Sequence, residues 1–258
     1  MRVPFVVVDA DLSLVDADDA VALRGEQLHH LGRVLRRGAG DPLEVTDGAG
    51  RVADGVLTAD GVRLVGRPRS VARASPTVEV VHALPKGRAM DDVVRSLCEL
   101  GVDRIRPVLT ARTESRPVGA KATLVTERLR SVALQAAQQA RSAHLCVVDH
   151  VALLALTQRD NDPHHLRLLA HPGASVGIGE IVRAGQDAAP VNAVSVLIGP
   201  EGGITESEVE DLVAVGWVAV RAGETVLRTV NAGVVLTAAV MALTGRFDRP
   251  IAHDPPVT

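Results

Sequence analysis

The first 70 residues alternate short apolar runs with turn residues. Asp-Gly pairs between apolar positions are a strong short-range signal for β-hairpins. They stand at residues 47–48, 54–55 and 60–61, beside apolar runs at 43–45, 56–57 and 62–65. With a further strand over 3–8 and a short helix over 27–37, the pattern predicts a small β-barrel.

From residue 77 the pattern changes to apolar strands that alternate with helices. Strands are predicted over 78–84, 105–109, 166–170, 194–198 and 217–220, and helices over 90–100, 122–140, 205–215 and 229–244. Thr205 and Glu208 are spaced as a capping box, and Gly101 is typical of a helix end. Alternating elements predict an α/β domain whose parallel sheet is covered on both faces. Residues 67–76, with proline and serine, form the linker, so we expect domains over 1–72 and 77–258.

Charge is distributed unevenly along the 258 residues, although the net charge is only −3. Residues 86–141 hold 11 Lys and Arg against 6 Asp and Glu, whereas residues 142–258 hold 7 against 13. This indicates one positive face and argues against a generally basic nucleic-acid coat. Aromatic residues are nearly absent, with two Phe, one Trp and no Tyr. An RNA partner would therefore be bound through arginine and backbone groups, since aromatic stacking platforms are missing.

The cysteine pattern and the apolar runs favour a cytoplasmic protein. Cys98 and Cys146 lie far apart with no C-x-x-C, which indicates neither a disulfide scaffold nor a zinc site. No N-terminal signal pattern and no apolar run of membrane-spanning length is present. We expect a reduced, soluble protein with neither a metal nor a membrane partner.

Three stretches that follow predicted strands carry the candidate chemistry. Residues 194–203 read VSVLIGPEGG, in which glycines let a ligand approach the backbone closely. Residues 222–229 read AGETVLRT and also lead from a strand into a helix, and His171 follows the strand over 166–170. Taken alone, the first stretch is better explained as an ordinary strand–helix loop, and His171 as a structural histidine. Strand ends that converge on one crevice predict a cofactor pocket, and the lack of GxxxxGK[ST] argues against a Walker phosphate loop.

LIGPEGG followed by GETVLRT resembles the SPOUT methyltransferases, specifically the ribosomal RNA small subunit methyltransferase E family. HLGRVLR at 30–36, AAQQAR at 136–141, Lys86, Glu99-Leu100-Gly101 and Arg112 extend the resemblance over nearly the whole chain. The resemblance implies a PUA-like β-barrel followed by a trefoil-knot α/β domain. It also implies S-adenosylmethionine as methyl donor, N3 of a uridine in 16S ribosomal RNA of the small subunit as target, and a homodimer.

The resemblance also implies where the site residues lie. The donor would be bound by His171, Ile198, Gly199, Pro200, Glu201, Gly202, Gly203, Ala222, Gly223, Val226, Leu227 and Arg228. The sulfonium is already an activated electrophile, so no metal is expected. A guanidinium near the uracil oxygens would stabilise the deprotonated base, and the candidates are Arg228 and Arg141. A helix-end arginine that binds carbonyls is an equal alternative for Arg141. On the short helix, Arg33, Arg36 and Arg37 are spaced to contact RNA phosphates.

The sequence departs from the family pattern near the substrate side. Ser96, Ser142, Cys146 and Val230-Asn231-Ala232 stand where the family usually has other residues. A related enzyme that methylates another RNA or a small molecule would show the same departures. A non-catalytic RNA-binding module is a further alternative, although it would gain nothing from an intact donor loop. A Rossmann-type methyltransferase is disfavoured because no GxGxG follows an early strand.

Overall fold

The computed structural model describes residues 3–154 and 162–249. The chain divides into two compact units, which we call the N-terminal unit (Met1–Arg73 with Ala137–Leu145) and the C-terminal unit (Ala74–Ala136 with Cys146–Thr258). The sequence-based boundaries, 1–72 and 77–258, had assigned residues 137–145 to the second domain. Their contacts group them with the first unit.

Short strands form the sheet of the N-terminal unit. They are β1 (Phe5–Val7), β2 (Ala20–Ala22), β3 (Pro42–Thr46), β4 (Arg51–Leu57), β5 (Gly61–Leu64) and β6 (Arg69–Ser70). The order is β1-β3-β4-β5-β2, and β6 pairs with β4. β1 runs parallel to β3, and the other pairings are antiparallel. Val45, Val62 and Leu64 are fully buried between the strands and give the unit its own core.

Two of the three Asp-Gly pairs lie in hairpin turns, and one does not. The pair at 47–48 separates β3 from β4, and Asp60 ends the turn between β4 and β5, the strand that begins at Gly61, so both predicted turns are confirmed. Asp54 and Gly55 lie inside β4, so the turn predicted there is wrong. A Cβ at Gly55 would lie 2.3 Å from Cγ2 of Val62 on the neighbouring strand. Glycine is therefore required here because β4 and β5 lie too close together for a side chain. A local turn signal does not reveal this requirement.

The helix predicted over 27–37 is shorter and begins earlier. α1 covers Gly25–His29 and continues as a π-helical turn over His30–Val34. The amide of Leu35 bonds to the carbonyl of His30, and Arg36 then adopts φ +53°, which ends the helix. The prediction that three arginines share one side of a helix is therefore wrong, since only Arg33 lies on it.

The C-terminal unit is built on a parallel sheet, as predicted. Its described strands are β7 (Thr77–Ala83), β8 (Arg104–Leu109), β9 (Val147–Val148), β10 (Ala152–Leu153), β11 (His165–Ala170), β12 (Ala193–Ile198) and β13 (Val218–Val220). The order is β10-β8-β7-β12-β11-β13, with β9 beside β8. Every pairing is parallel. All carboxyl ends therefore lie at one edge of the sheet, where ligands of parallel sheets bind.

Helices cover both faces of this sheet. They are α2 (Ala89–Leu100), α3 (Ala120–Ala140), α4 (Ile178–Ala188), α5 (Glu206–Ala214) and α6 (Thr229–Leu243). Residues of α2, α3, α4 and α6 share one core with alternate strand positions such as Val80 and Val196, and α5 packs on the other face through Leu212. The predicted helix end at Gly101, with φ +84°, and the capping box at the start of α5 are confirmed. α4 was not predicted.

Candidate functional site

The loop after β12 is a tight turn whose centre is open to solvent. The amide of Gly203 donates to the carbonyl of Pro200 at 2.8 Å, and Gly203 has φ +74°, which side-chain-bearing residues rarely adopt. Glu201 and Gly202 are exposed, whereas Ile198 at the base is buried. Backbone groups at the middle of this loop are therefore accessible to a ligand.

The second glycine loop follows β13 and enters α6. Residues 221–226 are exposed, and the side chain of Val226 is 77% exposed. Arg228 precedes the first residue of α6, and its carbonyl accepts bonds from the amides of Asn231 and Ala232. Its side chain is solvent-exposed. This loop thus presents an apolar side chain and a guanidinium at the same edge of the sheet.

His171 lies between the two glycine loops. β12 and β13, which the two glycine loops follow, are not adjacent in the sheet, because β11 lies between them and pairs with both. His171 directly follows β11, and its amide donates to the carbonyl of Val220 at 2.9 Å. Its Nδ1 accepts from the amide of Gly173 at 3.2 Å. β12, β11 and β13 are neighbours in the sheet, and each is followed by one of the three stretches predicted to bind the donor.

Glu208 joins the first glycine loop to the loop after β8. Its carboxylate accepts from the amide and hydroxyl of Thr205 and, through Oε1, from the amide of Ala111 at 2.8 Å. Partial burial would raise the pKa of Glu208, but these hydrogen bonds and the charge of Arg112 together hold it below its usual value. The spacing of Thr205 and Glu208 predicted the cap. The bond to Ala111 joins residues 97 apart, so no local signal indicates it.

Two cations border the first glycine loop. Arg112 Nη1 donates to the carbonyl of Gly202 at 3.1 Å. The amide of Lys86 donates to Oε1 of Glu201 at 3.1 Å, and its ammonium pairs with Glu114 at 2.8 Å. The hydrogen bond and charge of Glu114 raise the pKa of Lys86. The charge of Lys86 is thus partly balanced by Glu114, whereas the hydrogen bond of Arg112 goes to a carbonyl.

A fully buried histidine lies beneath the glycine loops, and no local sequence pattern indicates its role. His82, in β7, is paired in register with Ile198, and its Nδ1 lies 2.7 Å from the carbonyl of Ala83. Its Nε2 lies 3.3 Å from the carbonyl of Thr229, at the start of α6. A Cβ on Gly233 would lie 2.9 Å from Cδ2 of the ring. Burial lowers the pKa of His82, although hydrogen bonding to the two carbonyls opposes this effect. The ring packs between β7 and α6.

The contacts of Arg141 lie in the N-terminal unit. It follows α3 with φ +56°, and its guanidinium forms an ion pair with Glu44, whose side chain is only 4% exposed. Nη1 also donates to the carbonyl of Val3 at 2.8 Å, and Cζ lies 5.2 Å from the ring centroid of Phe5. Arg69 pairs with Glu44 as well. These contacts match the alternative of a helix-end arginine that binds carbonyls.

The three arginines predicted to bind RNA also lie in the N-terminal unit. Arg33 and Arg36 are exposed, and Arg37 is half-buried with its Nε fully enclosed. Their role in RNA binding stays a prediction.

The described residues contain neither a metal-binding cluster nor a membrane-spanning helix. In residues 3–154 and 162–249, no group of three or more His, Cys, Asp or Glu could hold a metal ion. No helix within these ranges is long and apolar enough to cross a membrane. Cys98 and Cys146 are free thiols. The pKa of Cys146 is raised, mainly by a hydrogen bond with Cys98 and secondly by burial.

Known proteins match this chain along most of its length. Residues 73–241 match the RNA methyltransferase domain, and residues 23–63 match the RNA methyltransferase PUA domain. The ribosomal RNA small subunit methyltransferase E of Mycobacterium bovis is 33% identical over 92% of this chain and 91% of its own length. These matches support the predicted PUA-like region followed by an α/β methyltransferase domain.

Solved structures share the fold. A ribosomal RNA small subunit methyltransferase E from Neisseria gonorrhoeae, crystallised with S-adenosyl methionine, superposes with a TM-score of 0.79. The two chains are 23% identical, and the match covers 94% of this chain and 98% of that one. A probable rRNA-methyltransferase from Porphyromonas gingivalis gives a TM-score of 0.74 at 26% identity, covering 95% and 100% of the two chains. The trefoil knot stays a prediction from the resemblance.

Proposed function

Because the chain belongs to the ribosomal RNA small subunit methyltransferase E family, we propose that it transfers a methyl group from S-adenosylmethionine to N3 of a uridine in 16S ribosomal RNA. The observation that carries this proposal is the convergence of three loops at the carboxyl ends of β12, β11 and β13. Their exposed glycine backbone and the guanidinium of Arg228 suit a methyl donor and an anionic acceptor. The cytoplasm, where ribosomal RNA is made in bacteria, is the expected location.

The donor site would be formed mainly by backbone. Residues 198–203 offer the accessible main chain around Gly202, and Ala222, Gly223, Val226 and Leu227 offer a second stretch with an exposed apolar side chain. Such a combination fits an adenosyl group, because main-chain groups can read its polar edges while apolar side chains cover its ring. S-adenosylmethionine supplies an activated methyl group on a sulfonium. His171 would border the same site.

Arg228 is the residue that we assign to the acceptor. Uracil N3 loses its proton with a pKa of roughly 9 to 10, close to the ordinary range of tyrosine and lysine side chains. A guanidinium beside the uracil oxygens stabilises the anion and so favours attack by N3 on the methyl group. Arg228→Lys keeps the charge but loses the planar fork. Turnover should fall by about 10²-fold or more, with donor affinity changed much less.

Arg141 has a different role in this proposal. Its guanidinium is engaged by Glu44, the Val3 carbonyl and the Phe5 ring, so we assign it to the stability of the N-terminal unit. Arg33, Arg36 and Arg37 are assigned to phosphate contacts in RNA. Reversing these three to Glu should weaken RNA binding and flatten its salt dependence, while the affinity for S-adenosylmethionine is preserved. Unchanged RNA affinity would return the three arginines to an ordinary solvated surface.

A homodimer is the proposed assembly, and α6 supports it. This helix is apolar on nearly every side, as in TVNAGVVLTAAVMAL, and Val235 is 44% exposed. An exposed apolar helix face favours burial against a second copy, as the family resemblance implies. Sedimentation should give a dimer at micromolar concentration. A monomer under these conditions would contradict this part of the proposal.

Two measurements test the function itself. Calorimetry with S-adenosylmethionine should show one site per chain, whereas a non-catalytic RNA-binding module would show none. Small ribosomal subunits from a strain that lacks this gene should then gain one methyl group, and mass spectrometry should place it at N3 of a uridine. Donor binding without methylation of small subunits would move the substrate to another RNA or to a small molecule.

A further inference from the structure

The loop after β8, residues 110–116, is ordered by its own side chains. We call it the β8 loop. The amide of Thr110 donates to Oγ1 of Thr113 at 2.9 Å, and Arg116 Nη1 donates to the carbonyl of Thr110 at 2.5 Å. Thr110 and Thr113 are buried. The loop is thus a compact turn that can present Arg112 in a fixed direction.

A single carboxylate fastens the β8 loop to the first glycine loop. Oε2 of Glu208 accepts from the amide of Thr205 at 3.0 Å and from its hydroxyl at 2.8 Å, which completes the cap of α5. The other oxygen accepts from the amide of Ala111 at 2.8 Å. A capping box alone would need only the first of these oxygens. The second oxygen has no role in the helix and fixes the residue that precedes Arg112.

The guanidinium of Arg112 lies against the first glycine loop with most of its donors unused. Nη1 bonds to the carbonyl of Gly202 at 3.1 Å, and an added Cβ on Gly202 would lie 3.2 Å from Cβ of Arg112. A guanidinium has five N–H donors, so the remaining ones are available to a ligand. Within residues 3–154 and 162–249, Arg112 forms no ion pair at contact distance, although its charge acts on Glu208. By contrast, Lys86 pairs with Glu114 and Arg88 pairs with Asp91.

We propose that Arg112 binds an anionic oxygen of the RNA at the target nucleotide, and that Glu208 is the positioning residue that holds Arg112 there. This inference rests on the proposed function and adds a substrate-contacting residue to it. RNA offers two kinds of anionic oxygen at the target nucleotide: the oxygens of a phosphate and the oxygens of the deprotonated uracil. Both are recognised by a guanidinium in the same way, and the experiment separates them.

The first test replaces Arg112 by Gln in the full-length protein. The matched control is Arg95→Gln, which removes the same charge from an exposed position on α2, where Arg95 pairs with Asp92. Donor affinity should stay within about twofold of the wild type in both variants. Either RNA affinity or the single-turnover methylation rate should fall about 10-fold to 100-fold in Arg112→Gln only, as expected for a lost charged hydrogen bond.

The two RNA oxygens give different results in this test. If Arg112 contacts a phosphate, the dissociation constant for the RNA rises and the slope of its logarithm against log salt falls by about 0.7. If Arg112 contacts the uracil, RNA affinity is kept, the rate at neutral pH falls, and the pH profile of the rate shifts to higher pH. If the Arg112→Gln variant behaves like the Arg95→Gln variant in all these measurements, the inference is overturned.

The second test separates Glu208 as a positioning residue from Glu208 as a helix cap. Glu208→Gln leaves a single acceptor oxygen for two sets of donors, so the bond to Ala111 or the cap must be lost. Thr205→Ala removes the cap but leaves the bond between Glu208 and Ala111. Glu208→Gln should reproduce the RNA-side defect of Arg112→Gln, whereas Thr205→Ala should lower stability only. If the two variants have equal kinetic effects, Glu208 acts only as a helix cap and does not position Arg112.

The failure of this inference can be told apart from the failure of the proposed function. A wild-type protein that binds S-adenosylmethionine and methylates small subunits, together with an inert Arg112→Gln change, overturns the inference alone. A wild-type protein that methylates no ribosomal RNA overturns the proposed function, and the inference with it.

Discussion

Replacing Arg141 by Ala should destabilise the N-terminal unit and leave methyl-donor binding unchanged. The change removes one of two guanidiniums from Glu44, whose side chain is 4% exposed, and Arg141 itself is only 12% exposed. Removing one partner of a buried ion pair costs about 3 to 5 kcal/mol because the remaining charge stays buried. Arg69 still pairs with Glu44, so the lower end applies. We expect a loss of about 3 kcal/mol, a large share of a typical domain stability.

Two optical signals in one urea titration can report on the units separately. The only tryptophan, Trp217, belongs to the C-terminal unit, so its fluorescence follows that unit. Far-ultraviolet circular dichroism follows both. In Arg141→Ala, the dichroism should show an early transition that tryptophan fluorescence does not share. The double variant Glu44→Leu with Arg141→Met should recover most of the loss, because it leaves no buried charge without a partner.

The pH dependence of the loss gives an independent check. Burial raises the pKa of Glu44, and the two guanidiniums oppose this effect. A group whose pKa is raised by folding contributes stability at low pH and loses it as the pH rises through the folded value. Without Arg141 the pKa rises further, so Arg141→Ala should be more destabilising at pH 7 than near pH 4.5. An unchanged stability at both pH values, with turnover about 100-fold lower, would refute this reasoning and restore Arg141 as a catalytic candidate.

Three further changes test the C-terminal unit. Gly233→Ala should lower stability by about 1 kcal/mol in urea unfolding, because overpacking against His82 outweighs the helix propensity gained. A rise in stability would contradict this contact. Gly202→Val should abolish calorimetric binding of S-adenosylmethionine in a protein whose far-ultraviolet spectrum is native, and retained affinity would remove this loop from the donor site. Since the pKa of Glu208 lies below its usual value of 4.5, its stabilising contribution should persist at pH 4.5 and be lost only as the pH falls further, which hydrogen exchange of the Ala111 amide can follow.

The sequence predicted those features that depend on local patterns. The parallel sheet follows from alternating strands and helices, and the cap of α5 follows from the spacing of Thr205 and Glu208. The helix α4 was not predicted, because Gly179 and Gly185 lower its helix propensity. A Cβ at Gly185 would lie 2.7 Å from Leu166, so this glycine is explained by packing on β11, which a local pattern does not contain.

The candidate site was predictable only in part, for the same reason. Strand-end glycine loops mark a pocket locally, and the family resemblance indicated its ligand. Two contacts each join residues that are 97 positions apart in the sequence: the hydrogen bond between Glu208 and Ala111, and the ion pair between Arg141 and Glu44. The predicted end of the short helix, at residue 37, lies too far along the chain. The helical spacing of its arginines does not reveal that Arg36 adopts a left-handed backbone conformation.

The inclusion of residues 137–145 in the N-terminal unit has a consequence for biosynthesis. A chain that emerges from the ribosome presents Glu44 long before Arg141 has been translated, and Leu145, whose side chain lies against Gly48, emerges later still. The first 73 residues therefore cannot reach their final packing as an autonomous nascent fragment, although domains generally fold in order of synthesis. Translation must pass residue 145 before this unit is complete. A gene fragment that ends at residue 72 would keep Arg69 but lose Arg141 as a partner of the buried Glu44, so the N-terminal unit should not be portable between proteins as a contiguous cassette.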